Sequence, residues 1–161
     1  MKELLDQYAS YNVWAHGRLL ELINTLNMRL QHQQVTSSFN SLYKTVLHVW
    51  AAETIWFKRF DQENTQIDAD PFKASMQDLS LALQQLDQKI LDWVLRRDEN
   101  GLKEKLIYHN SKGQQFDQPY YILLMHLFNH NTYHNGQIVT ILRQLKVEKI
   151  PETDFVAWSR L

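Results

Sequence analysis

Residues 120–146 constrain this chain most, because a metal-ligand spacing and a helical apolar pattern coincide there. His126, His130 and His134 recur every four residues, while Leu123, Leu127, Ile138, Ile141, Leu142 and Leu145 keep helical spacing. The three imidazoles therefore share one side of a helix. Positions i and i+4 have Cβ atoms roughly 5–6 Å apart, close enough for two rings to reach one ion at the ~2.0–2.1 Å of a zinc–nitrogen bond. Each step of four turns the face by about 40°, so His126 and His134 diverge by about 80°, and at most two of the three are expected to serve one ion. Seven histidines placed at random give roughly 0.26 pairs at this spacing, so one pair alone says little. There is no HExxH, because Asn131 stands where a zincin carries its general-base glutamate. The helix alone leaves open a metal site or histidines without a special role, and a third ligand has to come from elsewhere.

Composition narrows the classes. At 161 residues and 44% hydrophobic content, the chain suits one domain, 1–161, with a real core. Lys+Arg number 17 against Asp+Glu 18, which offers no basic field for nucleic acid and makes it an unexpected partner. Without cysteine, a disulfide scaffold, a thiolate site and a cysteine nucleophile are all excluded, and any metal falls to histidine or carboxylate. MKELLDQYAS lacks the apolar region of a signal peptide, and no stretch approaches the ~18 apolar residues of a membrane helix. The expectation is a cytoplasmic protein with no membrane partner. Four glycines and three prolines, with helical periodicity between them, predict an all-α fold.

The first helix is expected from Met1 to about Asn27, on the spacing of Leu4, Tyr8, Tyr11, Ala15, Leu19, Leu22 and Leu26. His16 reads as a surface or capping residue. Gln31 to Ser41 is expected to be a loop carrying no periodic face. Ser41 is a plausible N-cap for a second helix to about Phe60, with Leu42, Val46, Val49, Trp56 and Phe60 on its apolar side. His48 lies mid-helix among Leu47, Val49 and Trp50, where a buried ring needs a hydrogen-bond partner or a metal. Glu53, five residues on and about 140° round, reads as a surface charge or a group supporting the ligands from behind. Asp61 to Ala74 is expected to be a loop broken at Asp68-Ala-Asp-Pro71. A third helix opens at Ser75 with Asp78 as a capping box, uses Met76, Leu79, Leu83, Leu86, Ile90 and Val94, and is stopped by Asn100-Gly101. Leu106–Tyr108 and Gln114–Phe116 flank the turn-like Asn110–Gly113 and predict a short hairpin with His109 exposed at its edge. Pro119 suits the first turn of the His-bearing helix. Phe155 and Trp158 in the tail need somewhere to bury. The expectation is a four-helix bundle of up-down type, whose interior is a usual place for metal ligands.

Taken together, Tyr11-Asn-Val-Trp-Ala-His16, His48-Val-Trp-Ala-Ala-Glu53 with Trp56, Gly113, and His126-Leu-Phe-Asn-His130-Asn-Thr-Tyr-His134-Asn-Gly-Gln137 resemble the DinB/YfiT-like family of four-helix metalloproteins. The resemblance spans nearly the whole chain. It implies that His48, His130 and His134 hold one divalent ion, zinc or nickel, and that His126 merely flanks them. Glu53, Tyr133 and Gln137 are the candidates to support these ligands. Asn135 replaces the family's usual arginine, and Lys146 replaces a common glycine. The first change removes a cation suited to an anionic substrate group. Three imidazoles leave a fourth position open, as in catalytic sites, where a thiol or water would lose its proton more readily. The resemblance implies transfer of a small-molecule thiol to an electrophile, with hydrolysis or binding without turnover as the alternatives. It also implies homodimers. Tyr8, Tyr11, Trp14 and Leu19 spread round the first helix would suit a dimer face, unless they close the core with the tail.

Overall fold

The structure, a computed structural model, describes residues 1–61 and 74–161. In chain order the elements are α1 (Lys2–Thr25), α2 (Met28–His32), α3 (Leu42–Phe60), α4 (Met76–Leu95), a 3-10 turn (Gly101–Lys103), β1 (Lys105–His109), β2 (Gln115–Pro119), α5 (Tyr120–Gln144) and α6 (Phe155–Trp158). The all-α bundle is confirmed: α1, α3, α4 and α5 are its four long helices. The predicted breaker at Asp68–Pro71 lies outside the described residues.

Local chemistry sets the helix ends. Ser41 Oγ accepts from the Lys44 N–H, and Ser75 with Asp78 forms the expected reciprocal capping box. Gln31 to Ser41 is not wholly loop, because Asn27 caps the short α2 by accepting from the Leu30 N–H. A single turn of helix is too short to display a period, which is why the sequence hides it. Helix α4 ends at Leu95, before Asn100-Gly101, which instead forms the 3-10 turn. The hairpin is present, with Lys105 opposite Pro119 and His109 opposite Gln115. Asn110 Oδ1 accepts from the Lys112 and Gln114 N–H groups, and Gly113 takes the positive φ of 76° that the turn needs. Pro119 precedes α5 as its N-cap. At the other end of α5, Lys146 adopts φ 60° and its N–H donates to Arg143 O, while the Val147 N–H donates to Leu142 O. This is the double hydrogen bond of a Schellman cap, whose left-handed residue is usually glycine.

Helix α1 packs against α4 and α5, and α3 packs against the same two. The apolar core comes in two clusters. One holds Leu5 and Ala9 of α1, Phe60 of α3, Ile90, Trp93 and Val94 of α4, and Leu123, Leu124, Leu127 and Phe128 of α5. The other holds Leu19, Leu20 and Ile23 of α1, Leu42, Val46 and Val49 of α3, Met76, Leu79 and Leu83 of α4, and Ile138, Ile141 and Leu142 of α5. Helices α1 and α5 thus run from the first cluster to the second, and α3 and α4 run back, giving an up, down, down, up order. The level between the clusters is polar.

The tail folds back as expected. Phe155 lies 5.0 Å and 5.1 Å from Tyr8 and Tyr11, centroid to centroid, and the Tyr11 hydroxyl donates to Thr153 O at 2.6 Å. Much of the apolar excess of α1 is used here. Leu4, counted on the apolar side, is exposed, and the buried stripe of α1 is Leu5, Ala9, Asn12, His16, Leu19 and Ile23. No helix among the described residues is long and apolar enough to cross a membrane.

Candidate metal centre

Helices α3 and α5 bring His48, His130 and His134 together, each offering one ring nitrogen within 4.8 Å of the others. Val46 and Val49 are fully buried on α3, which leaves His48 on the shoulder of the apolar stripe, facing α5. On α5, Leu127, Ile138 and Leu142 anchor the helix in the core, so His130 and His134 rise toward His48 one turn apart. His48 Nε2 stands 3.0 Å from His130 Nε2. Two nitrogens at tetrahedral positions around one zinc ion, each ~2.0–2.1 Å from it, are roughly 3.3–3.4 Å apart. The two rings are therefore within a few tenths of an ångström of a bridging arrangement. His126 lies outside the group, exposed on the next turn, with its ring 6.4 Å from that of His130 and edge-on to Trp56.

Neighbours fix which nitrogen each ring presents. His134 Nδ1 is 2.9 Å from Gln137 Oε1, an oxygen that only accepts, so Nδ1 carries the proton and Nε2 keeps its lone pair. Gln137 in turn donates to Ser38 Oγ at 3.0 Å. Phe39, from the loop before α3, stacks on His48 with centroids 4.0 Å apart and reaches His134 at 5.7 Å. Tyr133 is 62% exposed and only touches His134 ring to edge. A cleft of about 360 Å³ lies beside Gln137, lined by Thr36, Ser37, Ser38, Tyr133, Gly136 and Thr140.

All three rings are held in the neutral form that a metal requires. Burial lowers the pKa of each; His134 pushes further on His48 and His130, and His130 falls to about 4.

Glu53 and His16 need correction. Glu53 is 0% exposed and is not a surface charge, because it continues the Leu42, Val46, Val49 stripe one turn on. His16 is 2% exposed, and its Nδ1 lies 3.0 Å from both oxygens of Asp87. Asn12 Nδ2 bridges the carboxylates, donating to Asp87 Oδ1 at 2.7 Å and Glu53 Oε1 at 3.3 Å. Asn131 donates from Nδ2 to Asn12 Oδ1 at 3.0 Å and to Glu53 Oε1. Its own Oδ1 makes a long 3.5 Å approach to His130 Nδ1. Glu53 thus reaches the histidine group only through Asn131. Sequence reasoning missed Asn12, Asp87 and Asn131, although each interrupts an otherwise apolar stripe at mid-helix. Asn135 is buried with neither amide atom partnered.

Known proteins resemble this chain in sequence and in fold. The sequence model of the DinB family matches residues 1–159. Protein DinB of Bacillus subtilis is 27% identical, over 96% of this chain and 93% of its own length. A DinB-like protein of Bacillus subtilis shares the fold at TM-score 0.69 and 12% identity, covering 92% of this chain and 98% of the other. A DinB-like protein of Bacillus cereus does so at TM-score 0.64 and 15% identity, covering 86% and 89%.

Proposed function

This chain belongs to the DinB family, and on that footing we propose that it is a metal-dependent enzyme transferring a small-molecule thiol to an electrophile. His48, His130 and His134 hold one divalent ion, zinc or nickel. The convergence of three imidazole nitrogens within 4.8 Å, two of them 3.0 Å apart, carries the reading. A hydrogen-bonded pair of neutral rings would account for one short distance but would not require a third ring at the same point.

When bound, the ion supplies one thing: with its charge undiminished by three neutral ligands, it lowers the pKa of a thiol so that sulfur can attack at neutral pH. The chain's own residues do the rest. Gln137 holds the His134 proton on Nδ1 and so keeps Nε2 as the donor. Phe39 covers one side of His48 and restricts water there. The cleft lined by Tyr133 and Gln137, both of which touch His134, would give a small thiol and its electrophile a place one side chain removed from the histidines. With Asn135 in place of arginine and buried, the site lacks that cation for an anionic substrate group.

The test is metal analysis of protein purified without a tag or chelator, joined to thiol transfer onto a chloroaromatic electrophile. Activity lost to chelator, restored by zinc or nickel and absent from His48→Ala is the expected result. Full metal retention by His48→Ala, alongside a His109→Ala control, overturns the ligand set. Hydrolysis at the same centre is the second reading, favoured if ester or amide substrates turn over and thiols do not. Homodimer formation is proposed on family membership; sedimentation giving a single monomer mass at micromolar concentration refutes it.

A further inference from the structure

The polar level at the middle of the bundle holds a second set of metal-ligand groups, distinct from the three histidines. His16 of α1, Glu53 of α3 and Asp87 of α4 each offer one donor atom within 4.8 Å of the others, and all three side chains are buried. Two full carboxylate charges at 0% and 2% exposure would each cost several kcal/mol without compensation. Against them the protein supplies one imidazole, the amides of Asn12 and Asn131, and a hydrogen bond between the Glu53 and Asp87 side chains that needs a proton between them. No lysine or arginine reaches the group through a recorded ion pair among the described residues.

Donor capacity is also left over. Glu53 Oε2 and His16 Nε2 are buried and have no hydrogen-bond partner. Buried polar atoms are usually satisfied, so an unused carboxylate oxygen in this cluster points to a missing electrophile. The Nδ1 of His16 faces both oxygens of Asp87 at 3.0 Å, so an ion at this level would meet the imidazole and the carboxylate together. With the ion taking His16 Nδ1, the group offers one imidazole and two carboxylates.

We propose that His16, Glu53 and Asp87 form a second, buried divalent-cation site. One +2 ion cancels the two carboxylate charges and uses the unpartnered Glu53 Oε2. Its mixed nitrogen and oxygen donors favour Mn²⁺ or Fe²⁺ over the softer preferences of an all-imidazole site. Contributions from three helices of a bundle core match how carboxylate-rich metal centres are built in this architecture. Such an ion would clamp α1, α3 and α4 at the level where the apolar core is interrupted, and Asn131 would link it to the helix turn that carries His130.

The test removes the other site first, so that failure here and failure of the histidine triad are separable. The full-length chain carrying His48→Ala and His130→Ala is refolded from denaturant with Mn²⁺, because a fully buried site opens to ions only on unfolding. Bound Mn²⁺ is counted by electron paramagnetic resonance after desalting. One Mn²⁺ per chain is expected, lost in Glu53→Gln and in Asp87→Asn on the same background, with helix content checked by circular dichroism. If those variants do not fold, pulsed resonance on the parent decides, where coupling to a single histidine ¹⁵N is expected. A folded parent that retains no Mn²⁺, retention in both carboxamide variants, or bound Mn²⁺ without nitrogen coupling each overturns the site.

Discussion

Replacing Gln137 by alanine isolates the role of ligand orientation. In the wild type the Nδ1 proton of His134 is held by Gln137 Oε1 at 2.9 Å, and Gln137 is itself fixed by Ser38 Oγ at 3.0 Å. Loss of such a partner behind a ligating histidine typically weakens metal binding 10–100-fold. Gln137 is partly exposed, so water can reach Nδ1 and replace part of the hydrogen bond. The effect should therefore sit at the low end, about tenfold or ~1.4 kcal/mol. Gln137→Glu keeps the acceptor and adds negative charge, so it should bind at least as tightly as wild type. Tyr133→Phe should leave affinity unchanged, since the hydroxyl makes no recorded contact with the site and the ring contact persists. Competition of apo protein with a chromophoric chelator for zinc at neutral pH measures all three. Wild-type affinity in Gln137→Ala, or weaker binding by Gln137→Glu than by Gln137→Ala, would refute the reasoning.

Phe60 is 1% exposed and stacks near Trp93, with centroids 5.4 Å apart, so Phe60→Ala should cost about 3–5 kcal/mol in urea unfolding. Lys146→Gly should stabilise by about 1 kcal/mol, since a left-handed residue other than glycine costs roughly 1–2 kcal/mol, partly offset by glycine's freedom when unfolded; an unchanged denaturation midpoint contradicts this. In metal-free protein, His130 binds its proton only near about 4 when folded, against ~6.5 unfolded. The unfolded chain therefore holds more protons in between, and this contribution to stability falls as pH drops from about 6.5 towards 4. The buried Glu53 and Asp87, raised mainly by burial, act in the opposite sense. The difference between wild type and His130→Ala is thus the quantity to follow by denaturation, and no pH dependence of that difference contradicts the burial argument.

The long amphipathic helices were readable because burial repeats: Leu123, Leu127, Ile138, Ile141 and Leu142 all entered the core. Ser41 and Ser75 announced helix starts through chemistry that acts over three residues. The interior polar level was not read, although its signal was present. Asn12 and His16, Glu53, Asp87, and Asn131 each occupy a core position of a different helix. Comparing Glu53 with His48, about 140° away, placed it off the site; comparing it with Val49 places it in the core. Partnership among four helices is a property of their packing, and no single-helix period contains it. The up, down, down, up order and the seating of Phe39 on His48 likewise depend on tertiary contacts without a local motif.

X-ray absorption at the metal edge of the protein loaded with one equivalent of zinc tests the central claim most directly. The account predicts three imidazole nitrogens at about 2.0–2.1 Å with one further light-atom donor, and loss of that pattern in His48→Ala. A shell with fewer than three imidazoles, or one unchanged by His48→Ala, would contradict it.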